Sequence, residues 1–154
     1  MSKGAYTYDY PRPMLTADAV VFAVQDEVLN VLLIQRGHEP WKGMWAIPGG
    51  FIEIDEELDT AALRELEEET SVTGVPLVQY HTFGGVDRDP RGRVITVAYL
   101  GVADPDRVDP KGGDDAAYAA WKPMIDLPPM AADHRDVVDG KTVQVLVKAK
   151  LAGQ

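Results

Sequence analysis

Two apolar, β-branched runs open the patterned part of the chain: residues 16–24 (TADAVVFAV) and residues 28–35 (VLNVLLIQ). The polar stretch Gln25, Asp26, Glu27 between them predicts a β-hairpin. Residues 36–43 (RGHEPWKG) carry the Gly and Pro punctuation of a loop. A short strand is predicted over 45–47, halted at Pro48, Gly49 and Gly50, where paired glycines suggest a tight turn with exposed carbonyls. Over 56–70 the composition changes to alanine, leucine and glutamate without internal Gly or Pro, which predicts a helix. Strands follow over about 75–83 and 94–102, joined by GGVDRDPRGR at 84–93. Residues 103–113 read as a loop, about 119–122 as a short strand, and about 131–151 as a helix with Gly140 as its weak point. Residues 1–15 hold three tyrosines and two prolines without a period and read as an extended arm. Mixed strands with two helices predict an α+β class, with 16–154 as one domain behind that arm.

At 154 residues the chain can bury one core. No apolar run approaches the ~20 residues of a membrane helix, and the N-terminus lacks the apolar centre of a secretory signal. The absence of cysteine excludes disulfides and thiolate metal sites and makes a cytoplasmic location the simpler reading. A net charge of −10 argues against nucleic acid as a partner. A small phosphate ligand is still compatible with it, provided that a local cation or a few arginines reverse the field.

The helix over 56–70 raises the question of why so many carboxylates share one element. Residues three and four apart lie on one helix face, so Glu65, Glu68 and Glu69 converge. Each like-charge pair costs a few tenths of a kcal/mol, and more when partly buried. Either the face is a solvated acidic surface or a cation neutralises it. Arg64 can hold a carboxylate in a fixed fork, and Mg²⁺ seeks a few carboxylates together with phosphate oxygens and water.

These residues resemble a known family. Gly50, Glu56, Arg64, Glu65, Leu66, Glu68, Glu69 and Val72 match the Nudix box, with Ser71 where the family has glycine. The resemblance implies a Nudix-type α/β/α sandwich around a mixed β-sheet, and a Mg²⁺- or Mn²⁺-dependent hydrolase. It implies Glu65, Glu68 and Glu69 as metal ligands, a carbonyl of Gly49 or Gly50 adding another, and Glu56 and Arg64 as supports. Catalytic roles then fall to Glu65, Glu68 and Arg64. A left-handed helix end at residue 71 would let serine stand in for glycine at modest cost.

Further segments, YPRPMLTADAVVF, VLLIQRGHEPWKGMWAIPGGF and DRDPRGRVITVAYLG, extend the resemblance over about residues 8–136. They are similar to the branch holding ADP-ribose pyrophosphatases and the Nudix domains of regulators of NAD metabolism. The implied substrate is ADP-ribose or a related nucleoside diphosphate derivative, split to AMP and ribose 5-phosphate, by a homodimer. The regulators' winged-helix domain has no room in this chain. Two alternatives stay open: a non-catalytic ADP-ribose sensor, and an enzyme sanitising modified nucleoside triphosphates.

Arg36, Arg88, Arg91 and Arg93 are candidate phosphate or ribose contacts from their loop positions. Trp41, Trp45, Phe83 and the arm tyrosines offer rings for stacking or for a core. His38 and His81 read as structural, and His134 has no assignable chemistry. Tyr118 stands where relatives often carry a glutamate, which leaves Asp114 or Asp115 as the nearest replacement acid, with Asp115 preferred as the catalytic candidate.

Overall fold

The computed structural model describes residues 4–113 and 116–139. Strand β1 (Met14–Gln25) runs antiparallel to β2 (Val28–Arg36), with Gln25 opposite Val28. Asp26 and Glu27 both take positive φ, 49° and 65°, so the link is the two-residue turn whose twist matches a hairpin. β1 thus begins two residues inside the span expected to be arm. Residues 4–13 are exposed, and the Arg12 guanidinium lies 3.8 Å from the Tyr8 ring centroid.

The short strand β3 (Trp45–Ala46) joins β2, and β4 (Gly49–Phe51) pairs with β1, Asp18 opposite Gly49 and Ala17 opposite Gly50. Gly49 and Gly50 are therefore sheet residues rather than the expected tight turn. Helix α1 (Leu58–Thr70) starts two residues later than predicted, after an extended Glu57. It closes at Ser71, left-handed at φ 63°, whose N–H donates to Glu67 O at 2.8 Å. Serine does occupy the glycine position, at a cost of about 1 kcal/mol.

Next come β5 (Val78–Phe83), β6 (Val94–Val102), β7 (Ala116–Pro123) and α2 (His134–Asp139). β5 starts three residues late because Pro76 has no N–H for the ladder. Strand β7 is longer than expected, pairing with β2 over most of its length. The last predicted helix begins at 134 rather than 131, after a turn with Ala132 at φ 48°; its portion beyond 139 lies outside the described residues.

The sheet runs β3-β2-β1-β6-β5, with β4 added beside β1 and β7 beside β2. β1 and β6 are parallel and the other paired strands antiparallel, so the sheet is mixed as expected. Alternation along β1 sorts its two faces. Ala17, Ala19 and Val21 face α1, packing with Ala61, Ala62 and Leu66. Val20 and Phe22 face the other layer, against Ile47, Val137 and Val138. Asp18 is the polar member of that second face, buried at 5% exposure within an otherwise apolar strand.

Candidate functional site

Arg64 organises the start of the site. Its Nε donates to Glu56 Oε2 at 2.6 Å and its Nη2 to Glu56 Oε1 at 2.9 Å, a bidentate fork. The same Nη2 reaches Phe51 O at 3.2 Å, while Nη1 donates to Glu65 Oε1 at 2.8 Å and Glu68 Oε2 at 3.1 Å. Glu56 also accepts from the Glu53 N–H at 3.2 Å. The Arg64 guanidinium holds the Glu56 carboxyl below its usual range. One arginine therefore ties the loop after β4 to α1 and fixes the Glu65 carboxylate.

Glu65 and Glu69, four residues apart on α1, lie close enough that each carboxylate affects the other's protonation. Burial pushes Glu69 up to about 9, and the neighbouring Glu65 and Asp18 carboxylates add to the shift. Burial raises Glu65 too, against the pull of Arg64. The Gly49 backbone favours the charged form of Glu69, yet buried Glu69 Oε2 finds no hydrogen-bond partner among the described residues. Gly50 leaves room for Glu65, since a Cβ there would stand 2.6 Å from Oε1. Glu68 stands apart: its side chain is 42% exposed and turns to Arg64. Glu68 Oε2 nevertheless meets Glu65 Oε1 at the same Arg64 Nη1, while no group of three acidic or histidine side chains placed to hold a metal ion occurs among the described residues.

The test for a metal is whether these donors suit one. All are oxygens, two neighbouring carboxylates are desolvated, and one buried oxygen is orphaned. A hard divalent cation would relieve both conditions, so the residues fit Mg²⁺ or Mn²⁺.

Two recesses adjoin this pair. The outer one is bordered by Glu65, Glu69, Arg36, His38 and Arg91; the inner one reaches Asp18, His134, Arg88 and Trp41. Arg36, Gly49, Gly50, Phe51, Glu69 and Arg91 border both, so they form one continuous site. Arg91 is held by Asp89 at 2.7 Å and lies 5.8 Å from the ring centroids of Trp41 and Phe51. Arg36 donates to Pro40 O at 2.7 Å, its guanidinium 5.9 Å from the Trp41 ring. His38, read as structural, borders the outer recess.

Arg88, expected as a substrate contact, borders the inner recess and is also engaged within the protein. It grips Asp133 through Nε at 3.0 Å and Nη2 at 2.7 Å, and Val94 O through Nη1 at 3.3 Å. That grip ties the 84–93 loop to the start of α2. Arg93 donates to Gly84 O at 2.8 Å. Trp45 and Phe83 pack against the apolar cluster that includes Val137 and Val138, while Trp41 and Phe51 are rings on the inner recess. Tyr118 is exposed on β7; Asp114 and Asp115 lie outside the described residues.

Sequence reasoning did not single out Asp18, and it named His134 without assigning it any chemistry. Asp18 Oδ2 accepts from Thr96 Oγ1 at 2.7 Å, and burial raises its pKa against the opposing effects of His134 and that hydrogen bond. His134 Nδ1 accepts the Ile47 N–H at 2.9 Å, and burial lowers its pKa, with Asp18 and Asp133 pulling the other way. The available signal was a single aspartate inside an apolar strand, which is costly unless its position is used.

The family profile described as NUDIX domain matches residues 12–140. An ADP-ribose pyrophosphatase from Methanocaldococcus jannaschii is 34% identical over 84% of this chain and 73% of its own length. An ADPR responsive transcriptional repressor, NtrR, from Acinetobacter baylyi is 43% identical over 60% of this chain; the match spans 38% of the repressor. The NUDIX domain of Shewanella oneidensis NrtR, solved with ADP ribose, superposes with a TM-score of 0.81 at 33% identity, covering 91% of this chain and 94% of that domain.

Proposed function

The chain belongs to the Nudix family, and from that premise we propose that it hydrolyses the pyrophosphate bond of ADP-ribose or a closely related nucleoside diphosphate derivative. The products would be AMP and ribose 5-phosphate. The observation that carries the proposal is the buried Glu65–Glu69 pair with its orphaned oxygen, facing Arg36 and Arg91 across one recess. Glu65 and Glu69, with a carbonyl of Gly49 or Gly50 and with Glu68 turned inward, would hold Mg²⁺ or Mn²⁺. When bound, such a cation supplies neutralisation of diphosphate charge and acidification of water.

The chain's own residues do the rest. Arg36 and Arg91 bind the phosphates, each guanidinium already oriented by a fixed acceptor. Arg64 and Glu56 keep Glu65 aimed at the recess. Glu68, or Asp115 from the segment following Gly113, takes the proton of the attacking water. The first test is incubation of the protein with ADP-ribose and Mg²⁺ or Mn²⁺, products being separated by ion-exchange chromatography. AMP and ribose 5-phosphate in equal amounts are expected, and Glu69→Gln should lower the rate by about 100-fold or more. Tight ADP-ribose binding without any turnover would favour a second reading, a sensor, which the exposed Tyr118 at the usual glutamate position and the similarity to a repressor support.

A further inference from the structure

We infer that the inner recess recognises the vicinal hydroxyls of a ribosyl group joined directly to the diphosphate, with Asp18 and His134 as the residues that read them. This rests on the nucleoside diphosphate reading above. The two recesses share a wall from Arg36 to Glu69, so one ligand can run from the carboxylate pair into the inner end. There the floor is rigid. Asp18 sits in the middle of β1, clamped by Thr96 Oγ1 at 2.7 Å. Because His134 Nδ1 accepts the Ile47 N–H, the neutral imidazole carries its proton on Nε2. The floor thus offers a fixed carboxylate acceptor and a fixed N–H donor, the complement of a diol that gives one hydrogen bond and takes another.

Other occupants fit less well. A phosphate at the floor would meet the carboxylates of Asp18 and Glu69; Arg88 is already matched by Asp133, and Arg36 and Arg91 border the outer recess as well, where the diphosphate would lie. A base lies one sugar further from the diphosphate. Asp18 is instead the cross-strand neighbour of Gly49, which borders both recesses together with Glu69, so the floor adjoins the diphosphate position. Ile34, Ala46 and Ala131, with Trp41 against them, supply an apolar wall for the C–H face of a sugar ring. A nucleoside diphosphate sugar carries two such ribosyl groups, one on each side of the diphosphate.

The test compares ADP-ribose with three analogues on the full chain: ADP β-methyl ester, which lacks the terminal ribosyl; 2′-deoxyadenosine diphosphoribose; and inosine diphosphoribose. kcat/KM with Mg²⁺, and affinity by calorimetry in EDTA, are measured for the wild type, Asp18→Asn, His134→Asn and His134→Gln. The wild type should prefer ADP-ribose by at least ~10-fold over one of the first two analogues, which identifies the ribosyl bound. That preference should collapse toward unity in Asp18→Asn and His134→Asn. His134→Gln, whose amide can place an N–H near the Nε2 position, should regain part of it, which a merely structural role would not produce. Wild-type ratios within threefold for both ribosyl analogues overturn the inference even if no variant folds. So do variants that keep the wild-type ratio, or a discrimination confined to inosine diphosphoribose. Absence of cleavage with the binding ratios intact would overturn the proposed hydrolysis alone.

Discussion

Gly50 stands where a side chain would meet the Glu65 carboxylate, at 2.6 Å from Oε1 and 2.7 Å from Cδ, whereas a Cβ on Gly49 would press on backbone, 2.7 Å from Ala17 O. The two adjacent glycines are therefore needed for different reasons. Gly50→Ala can be accommodated by swinging a flexible carboxylate aside. It should leave the melting temperature within ~2 °C of wild type and lower kcat/KM at least tenfold. Gly49→Ala has no such escape and should lose stability outright, measured as a drop of ~5 °C or more. Equal effects of both on stability would contradict this division.

The Arg64 fork makes a second prediction. Arg64→Lys keeps the charge but loses the bidentate grip on Glu56, and Glu56→Gln weakens the same grip from the other side. Both should lower turnover or Mg²⁺ affinity by about 10- to 100-fold. The double variant should be scarcely worse than Arg64→Lys, because both changes act on one Glu65 position. Multiplicative losses would show that the two residues act separately.

Charge at Glu69 makes the metal-free protein sensitive to base. Its folded value, about 9, lies above the ordinary 4.5, so the folded chain binds more protons than the unfolded chain between those limits. Stability contributed by the protonated form is present below pH 4.5 and is lost as pH rises toward 9. His134, whose pKa is lowered, acts oppositely but only below about 6.5. In EDTA the melting temperature should therefore fall from pH 7 to pH 9, by at least ~3 °C. Glu69→Gln, or millimolar Mg²⁺ or Mn²⁺, should flatten that slope. A flat profile for the metal-free wild type would remove the argument for a strained carboxylate pair.

Proton removal divides Glu68 from Asp115. If Asp115 accepts the proton, Asp115→Asn should lower kcat at least tenfold with KM nearly unchanged, and Tyr118→Glu should preserve or raise activity. If Asp114→Asn and Asp115→Asn are both fully active, the role passes to Glu68, and Glu68→Gln should carry the loss.

For the N-terminal arm, exposure of Tyr6 and Tyr10 fits a contact with a second copy of the chain. Deleting residues 1–13 should weaken both dimerisation and ADP-ribose affinity. Sedimentation of the full chain as a monomer at micromolar concentration would remove the assignment.

What the sequence made legible follows from which forces act locally. The hairpin, α1 and the strand at 94–102 announce themselves through period and punctuation, because each buries apolar residues; the strand at 78–83 is mostly exposed and shows chiefly through its punctuation. Arg64 and Glu56 were legible as supports from the box they match, and the structure gives the geometry. Gly49 and Gly50 were misread as a turn because glycine signals conformational freedom more often than close approach. Here the space left by each missing side chain is taken by a neighbour. Asp18 was overlooked and His134 left without a role, since their significance arises only when strand and helix meet: the Ile47–His134 bond joins residues 87 positions apart. The Arg88 partner Asp133, 45 residues away, was hidden for the same reason.

β1 is bonded along both edges where it passes the site, to β6 on one side and to β4 on the other. The strand that carries Asp18 therefore cannot open without parting the middle of the sheet. Its amide protons at residues 17–19 should exchange with solvent only as often as the whole domain unfolds, while those of the 36–44 loop exchange through local opening. Ligand entry is then a matter of the walls giving way around a floor that does not breathe. Selection among ligands would be decided by a surface already in its final shape before any ligand arrives.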